Sequence, residues 1–397
     1  MIQITDNAQE QQLLPLFRLG FRPFFLIGAL FAVVSMLLWG MLLSGTISMP
    51  SQLPLSQWHA HEMLFGFSGA IILGFLLTAV QNWTGYPGLK GTKLAILFTL
   101  WCLARIALFI LPPEWFWLTV ILELSWMPLA ALVLGKAVLH AKQWRNLFFV
   151  PLLLVMTLLN AMTLIAFKEY DYILSQQAIW SMLFLVFFII AVMGGRVLPF
   201  FTAKGTGTEK VLPLVALEYV SLAPLLLLAA LTWFPNMAVV SALLAGLAGI
   251  ANLIRVIRWK PTITLPVALL WSLHLGYILL SIGLILYATS FFIPSFNPTT
   301  MIHLTAIGGF GGVILAMISR VSLGHTGRPL IPSKWMSIAF IATAISGLVR
   351  VIFPFLMPDL LLMAYWISIL FWCAAFTLFV LCYAKMLLSA RLDNRPG

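Results

Sequence analysis

Charge is scarce in this sequence. Asp, Glu, Lys and Arg make up 8% of its 397 residues, against about 25% in soluble globular proteins, and that excludes a soluble domain. Acid is scarcer than base, with 11 Asp and Glu against 22 Lys and Arg for a formal net charge of +11, yet cations this sparse make no footprint for nucleic acid. Cysteine is scarcer still. Cys102, Cys373 and Cys382 stand in apolar stretches without paired spacing, which excludes a disulfide framework, a zinc knuckle and a redox pair and leaves them as packing residues. A basic leader is lacking too: residues 1–12 are polar and carry Asp6 and Glu10, so they do not read as a cleavable signal peptide.

What fills the chain is apolar, 62% of it. A membrane-crossing helix takes about 20 apolar residues, so a chain of this length holds about twelve spans and little else. Twelve apolar runs of helix length occur, parted by short polar or Pro/Gly connections: Phe24–Leu43, Trp58–Gln81, Thr92–Leu111, Trp115–His140, Leu147–Phe167, Gln176–Pro199, Leu212–Phe234, Met237–Val256, Leu265–Phe292, Thr299–Arg320, Met336–Phe355 and Leu360–Leu388. With the N-terminus in the cytoplasm, every Lys and Arg except Arg105, Lys168 and Arg350 falls on the cytoplasmic side, as the retention of cations in short loops requires. Both termini are then expected to be cytoplasmic, and residues 1–397 read as one transmembrane domain.

A repeat runs through the spans. Laid over each other without gaps, spans two and ten align His61 with His303, Gly66 with Gly308, Gly69 with Gly311, Thr84 with Thr326, Gly85 with Gly327 and Pro87 with Pro329. The next helices align Leu103-Ala104-Arg105-Ile106 with Leu348-Val349-Arg350-Val351. Span six carries a fainter copy, in which Arg196-Val197 precedes Thr202 as Arg320-Val321 precedes Thr326. Three pseudo-repeats of four helices, at approximately 14–145, 146–260 and 261–390, are the simplest account. This layout resembles the catalytic subunit of the haem-copper oxidase and nitric oxide reductase superfamily, with twelve helices in three arcs and a haem between histidines of helices two and ten. It departs where spans six and seven lack histidines for an active-site copper, and where span ten has one histidine in place of two.

The connection into span two reads Trp58-His59-Ala60-His61-Glu62. Residues two apart on a helix are rotated by about 200°, so His59 and His61 face different sides and serve either two cofactors or the headgroup layer. Glu62 is placed to orient a metal-bound imidazole. His59, His61 and His303 fall near the outer ends of their spans, at the similar depth that a haem bridging two helices through paired imidazoles requires. Arg105 and Arg350 occupy corresponding points of spans three and eleven. A charge in a span needs a partner, and haem propionates suit the guanidinium fork; Glu62, Glu123 and the interface are the alternatives. On span nine His274 and Tyr277 share a helical face, with His274 a ligand of a second haem or copper, a proton relay or a buried structural histidine. Glu62, Glu123 and Glu218 are carboxylates within spans, hence candidate proton relays or structural ion pairs. His325, in the segment Arg320-Val321-Ser322-Leu323-Gly324-His325-Thr326-Gly327-Arg328-Pro329-Leu330, is either a metal ligand or part of a polar loop. His140, beside Lys142 and Arg145, reads as interfacial.

Several segments together resemble the NnrS family along most of the chain. They are Leu14-Pro15-Leu16-Phe17-Arg18-Leu19-Gly20-Phe21-Arg22-Pro23-Phe24-Phe25, the stretch from Trp58-His59 to Met63-Leu64-Phe65-Gly66, the Thr84-Gly85 turn, Gly195-Arg196-Val197-Leu198-Pro199-Phe200-Phe201-Thr202 and the arginine-histidine segment just quoted. The resemblance implies a multi-pass protein of the bacterial inner membrane that contains haem and copper, goes with denitrification genes and is linked to nitric oxide tolerance. It supplies no agreed reaction. The expectation is a protein with one or two b-type haems that binds or reduces nitric oxide and relieves nitrosative stress. Its partners are nitric oxide, membrane lipid and an electron donor such as a quinol or cytochrome, with no nucleic acid. Whether it is an enzyme stays open; if it is, it is a nitric oxide reductase-like oxidoreductase. A secondary transporter also fits twelve spans, although transporters commonly carry inverted or six-plus-six repeats. A haem- or copper-handling assembly factor is the third reading.

Overall fold

The computed structural model describes residues 10–51 and 53–393; Asp6, Arg395 and both chain ends lie outside the described residues. No strand occurs among the residues described. A chain with so little polar surface must pair its backbone groups within each segment, which in hydrocarbon leaves the helix as the open choice. Among the described residues eleven helices are long and apolar enough to cross a membrane. In chain order, with the shorter α7 included, they are α1 Phe21–Leu43, α2 Leu55–Thr84, α3 Gly91–Ile110, α4 Pro113–His140, α5 Trp144–Glu169, α6 Tyr172–Thr206, α7 Val215–Leu231, α8 Pro235–Arg258, α9 Ala268–Thr289, α10 Pro298–His325, α11 Lys334–Leu356 and α12 Pro358–Leu387. Helix α7 has 17 residues, a rise of about 25 Å against a hydrocarbon core of about 30 Å, so the seventh of the twelve expected spans is the one that falls short.

By contact the chain groups into two compact units, residues 1–179 with 321–329 and 383–397, and residues 180–320 with 330–382. This grouping cuts across the three repeat segments. In the first unit α2 is the most enclosed helix, with α1 and α4 packed against it, α3 against α4 and α4 against α5. The end of the chain returns here. Arg22, fully buried near the start of α1, donates from Nη1 to the carbonyls of Leu387 at 2.9 Å and Ser389 at 2.7 Å. It thereby satisfies acceptors that the last turn of a helix leaves open.

In the second unit α9 packs against α8 and α10, α7 against α8 and α11 against α10. Small residues set the closest approach, as they do wherever helices pack without a hydrophobic drive between them. A Cβ at Gly309 would meet the backbone of Leu280, and one at Gly283 would meet Thr305.

Two local features recur. Helices α2 and α10 each widen into π turns, over Glu62–Ser68 and Leu304–Gly311, beginning at the residue after His61 and after His303. Helices α2 and α6 end on a Thr followed by a left-handed Gly, and α10 ends at His325, one residue before the same pair: the glycines are Gly85 at φ 67°, Gly207 at φ 68° and Gly327 at φ 73°. In each, the threonine hydroxyl donates to the carbonyl four residues back, Thr84 to Val80, Thr206 to Thr202 and Thr326 to Ser322. In α6 the terminal residue is thus Thr206, four positions beyond the Thr202 that the sequence comparison sets opposite Thr326.

Candidate functional sites: two buried guanidinium clusters and four histidines

The π turn of α2 builds the first cluster. Widening the helix after His61 sets Glu62 and Gly66 toward α3, where the Trp101 indole donates to the Gly66 carbonyl at 3.1 Å. Arg105 of α3 reaches Glu62 through Nη1, 2.8 Å from Oε1 and 2.9 Å from Oε2, and Glu123 of α4 through Nη2. A Cβ at Gly66 would meet both Arg105 Nη1 and Glu62 Oε2, so the glycine is what lets the pair sit flush on the helix. His61, also fully buried, closes the arrangement, with Nδ1 3.1 Å from Glu62 Oε1 and Nε2 2.8 Å from Asn160 Oδ1. The amide of Asn160 is oriented by its own Nδ2, which donates to Glu123 Oε2. Each ring nitrogen of His61 thus meets one polar neighbour, a carboxylate on one side and an amide on the other. Both carboxylates face the one guanidinium, so that no buried charge stands unpaired, as low-dielectric surroundings demand.

Ligand-type atoms of His61, Glu62 and Glu123 lie within 4.8 Å of one another, the density of a metal site. The Arg105 guanidinium already joins the two carboxylates, however, and both ring nitrogens of His61 already have partners in Glu62 and Asn160. A metal ion does not fit here unless Arg105 moves and His61 exchanges Asn160 for it. The guanidinium that was expected to meet haem propionates thus has its terminal nitrogens on Glu62 and Glu123, with only Nε lacking a hydrogen-bond partner among the described residues.

A second cluster occupies the second unit. Arg255 of α8, 1% exposed along its side chain, holds Glu218 of α7 from Nε at 3.1 Å and Nη2 at 2.7 Å. Its Nη1 donates to Asn252 Oδ1 at 2.8 Å and to the Tyr277 hydroxyl at 2.7 Å, and Tyr277 donates on to Asn252 Oδ1 at 2.6 Å. Gly194 and Gly195 of α6 make room, since a Cβ on either would meet the Tyr277 ring or Arg255. All three carboxylates named as relay candidates are thus in arginine pairs. Glu218 alone keeps partial exposure, 28% of its side chain. Tyr277→Phe leaves Arg255 Nη1 and Asn252 Oδ1 each short of one partner, so the thermal midpoint in detergent should fall by an amount equivalent to about 1–3 kcal/mol. An unchanged midpoint would show the hydroxyl to be dispensable.

The histidines divide by what their ring nitrogens meet. His303 directs Nδ1 to the carbonyl of Thr299, one turn earlier in α10, and His274 directs Nδ1 to that of Leu270 at 2.9 Å. A carbonyl only accepts, so each Nδ1 carries the proton and each Nε2 is the lone-pair nitrogen of the neutral ring, the one a metal takes. His274 Nε2 lies 3.3 Å from the Thr202 hydroxyl. The two are not neighbours: α9 meets α10 with Gly276 beside Val313 and Gly283 beside Thr305, an antiparallel register that places His303 roughly 15 Å along from His274. In the first unit His59 stacks on Trp39, ring centroids 4.5 Å apart. His325 packs on Phe21 at 5.6 Å, and its carbonyl takes a bond from Arg391. His140 is exposed and lies against Tyr86. Arg350 stacks on the Tyr365 ring, 4.1 Å from its centroid.

Sequence reasoning passed over Asn160, Asn252 and Arg255. The asparagines stood in plain view, each a lone amide within an apolar run, and a buried amide in a span needs a partner. Arg255 was counted with the cytoplasmic cations because nothing in the linear order shows α8 turning it inward.

Buried arginine–carboxylate clusters, helices that widen into π turns after histidines and an apolar chain with no strand among the described residues together define a polytopic membrane protein with ionisable groups buried among its helices. The family model described as NnrS protein matches residues 15–391, and the chain belongs to the NnrS family, consistent in general with a role in the response to nitric oxide. No curated protein matches the chain.

Proposed function

We propose that this is a haem-containing protein of the bacterial inner membrane that binds nitric oxide, and reduces it when an electron donor such as a quinol or cytochrome is present, so relieving nitrosative stress. The single observation that carries the reading is His303. Its Nδ1 is committed to the Thr299 carbonyl, its ring is only half-buried, and it stands at the start of a π turn, a distortion that gathers at functional sites. Such a ring fits a haem iron through Nε2. His61 would serve as a ligand by exchanging Asn160 for iron while keeping Glu62 on Nδ1, the carboxylate partnership typical of metal-bound imidazoles. His274 and His59 are the candidates for a second haem or a copper ion.

Haem, when bound, would supply an iron able to take nitric oxide and to pass single electrons. The chain's own residues do the rest. Thr299 fixes the tautomer of His303. The first cluster keeps Glu62 oriented beside His61. Reduction of two nitric oxide molecules to nitrous oxide and water consumes two electrons and two protons, and of the three candidate relays Glu218 is the one that keeps partial exposure. The test is nitric oxide consumption by the purified protein with a quinol or dithionite as reductant. Consumption with nitrous oxide release supports reduction, and saturable uptake without turnover supports binding alone. Neither, together with substrate flux into proteoliposomes, would overturn the reading in favour of a transporter; neither, without flux, would leave an assembly factor.

A further inference from the structure

The second unit repeats the skeleton of the first with its acids removed. In the first unit Glu62 follows His61, Glu123 stands three residues before Trp126, and Trp126 packs on Gly69 where a Cβ would touch it. In the second, Leu304 follows His303, Ile369 stands three residues before Trp372, and Trp372 packs on Gly311 in the same way. The arginine is kept, as Arg350 for Arg105, but both carboxylates have become aliphatic. Among the described residues no Asp or Glu pairs with Arg350. Its Nη1 is buried without a hydrogen-bond partner, and the guanidinium lies against the face of Tyr365.

A cation inside a span without an internal anion is costly, and a guanidinium stacked on an aromatic ring keeps its edge donors available for a planar acceptor. We infer that Arg350 is an anion-binding site, built to take an oxyanion head, carboxylate or nitrite-like, that the protein itself does not provide. That anion has two sources, the propionate of a bound haem or a small free oxyanion. The propionate branch rests on the haem reading above; the free-anion branch does not.

The experiment uses the purified full-length protein, wild type and Arg350→Gln, in haem-loaded and haem-depleted form. If the source is a propionate, the variant should lose haem at least about tenfold faster, the worth of one charge-assisted contact, and haem dimethyl ester should abolish the difference. If the source is free, nitrite at constant ionic strength should raise the thermal midpoint of the haem-depleted wild type and not that of the variant. Ile369→Glu restores an internal carboxylate and serves as the folded control: its midpoint should hold or rise while the anion response disappears. Equal haem retention and equal nitrite response in wild type and Arg350→Gln would overturn the inference. A wild type that binds no haem but responds to nitrite through Arg350 would overturn the haem reading and leave this one standing.

Discussion

Arg105→Ala should be the most damaging single substitution in the first unit. It leaves Glu62 and Glu123 buried and facing each other with no guanidinium between them, and removing one partner of a buried ion pair costs about 3–5 kcal/mol. That is a large part of the margin by which most folded proteins are stable. The expected result is poor recovery of monodisperse protein and a strongly lowered thermal midpoint in detergent. The rescue is what separates charge from packing. Arg105→Met combined with Glu62→Gln and Glu123→Gln removes all three charges while keeping shape, and replacing a buried ionic group by neutral groups of similar volume is often close to neutral. The triple variant should recover most of the midpoint that Arg105→Ala loses. Recovery no better than that of Arg105→Met alone would mean that the arginine acts through its bulk.

His303→Ala should remove haem from the purified protein. Its Nδ1 faces the Thr299 carbonyl, which can only accept and so sets the tautomer, and no side chain of the π turn Leu304–Gly311 that follows is of a metal-binding type. The substitution sits at a half-buried position and leaves α10 able to form, since alanine is the best helix former. Loss of the Soret band with an unchanged elution profile is the expected outcome. His140→Ala, at an exposed helix end against Tyr86, should leave the spectrum as it was. The opposite pattern would place the cofactor elsewhere.

The fold was legible because a membrane chain writes it in composition: hydrophobic length gives the spans, and short Pro/Gly connections give the turns between them. The ends departed, with α6 running on to Tyr172–Thr206 and α7 too short to count as a span, for a run of apolar residues shows where a helix lies and not where it starts. The candidate site was half legible. His61, Glu62, Arg105 and Glu123 could each be named because a polar residue in a span must have a reason, and the structure brings those four together. What they do to one another was not legible, because it depends on the π turn after His61, and a single inserted residue in a helical ladder leaves no mark on hydropathy. The same holds for Arg255, whose burial rests on Gly194 and Gly195 opening α6 to it. The tautomers of His303 and His274 depend on carbonyls of their own helices, and only coordinates supply those.

The Leu304 and Ile369 substitutions give the two units different electrostatics on one skeleton. The first unit neutralises its arginine from within and holds His61 between Glu62 and Asn160. The second leaves Arg350 with a buried Nη1 that has no hydrogen-bond partner among the described residues.

The absorption spectrum of the purified, haem-sufficient wild-type protein, recorded in the reduced state before and after nitric oxide, tests the central claim most directly. The account predicts a Soret band that shifts on adding nitric oxide and is absent from His303→Ala. A folded, monodisperse wild-type protein with no Soret band would contradict it.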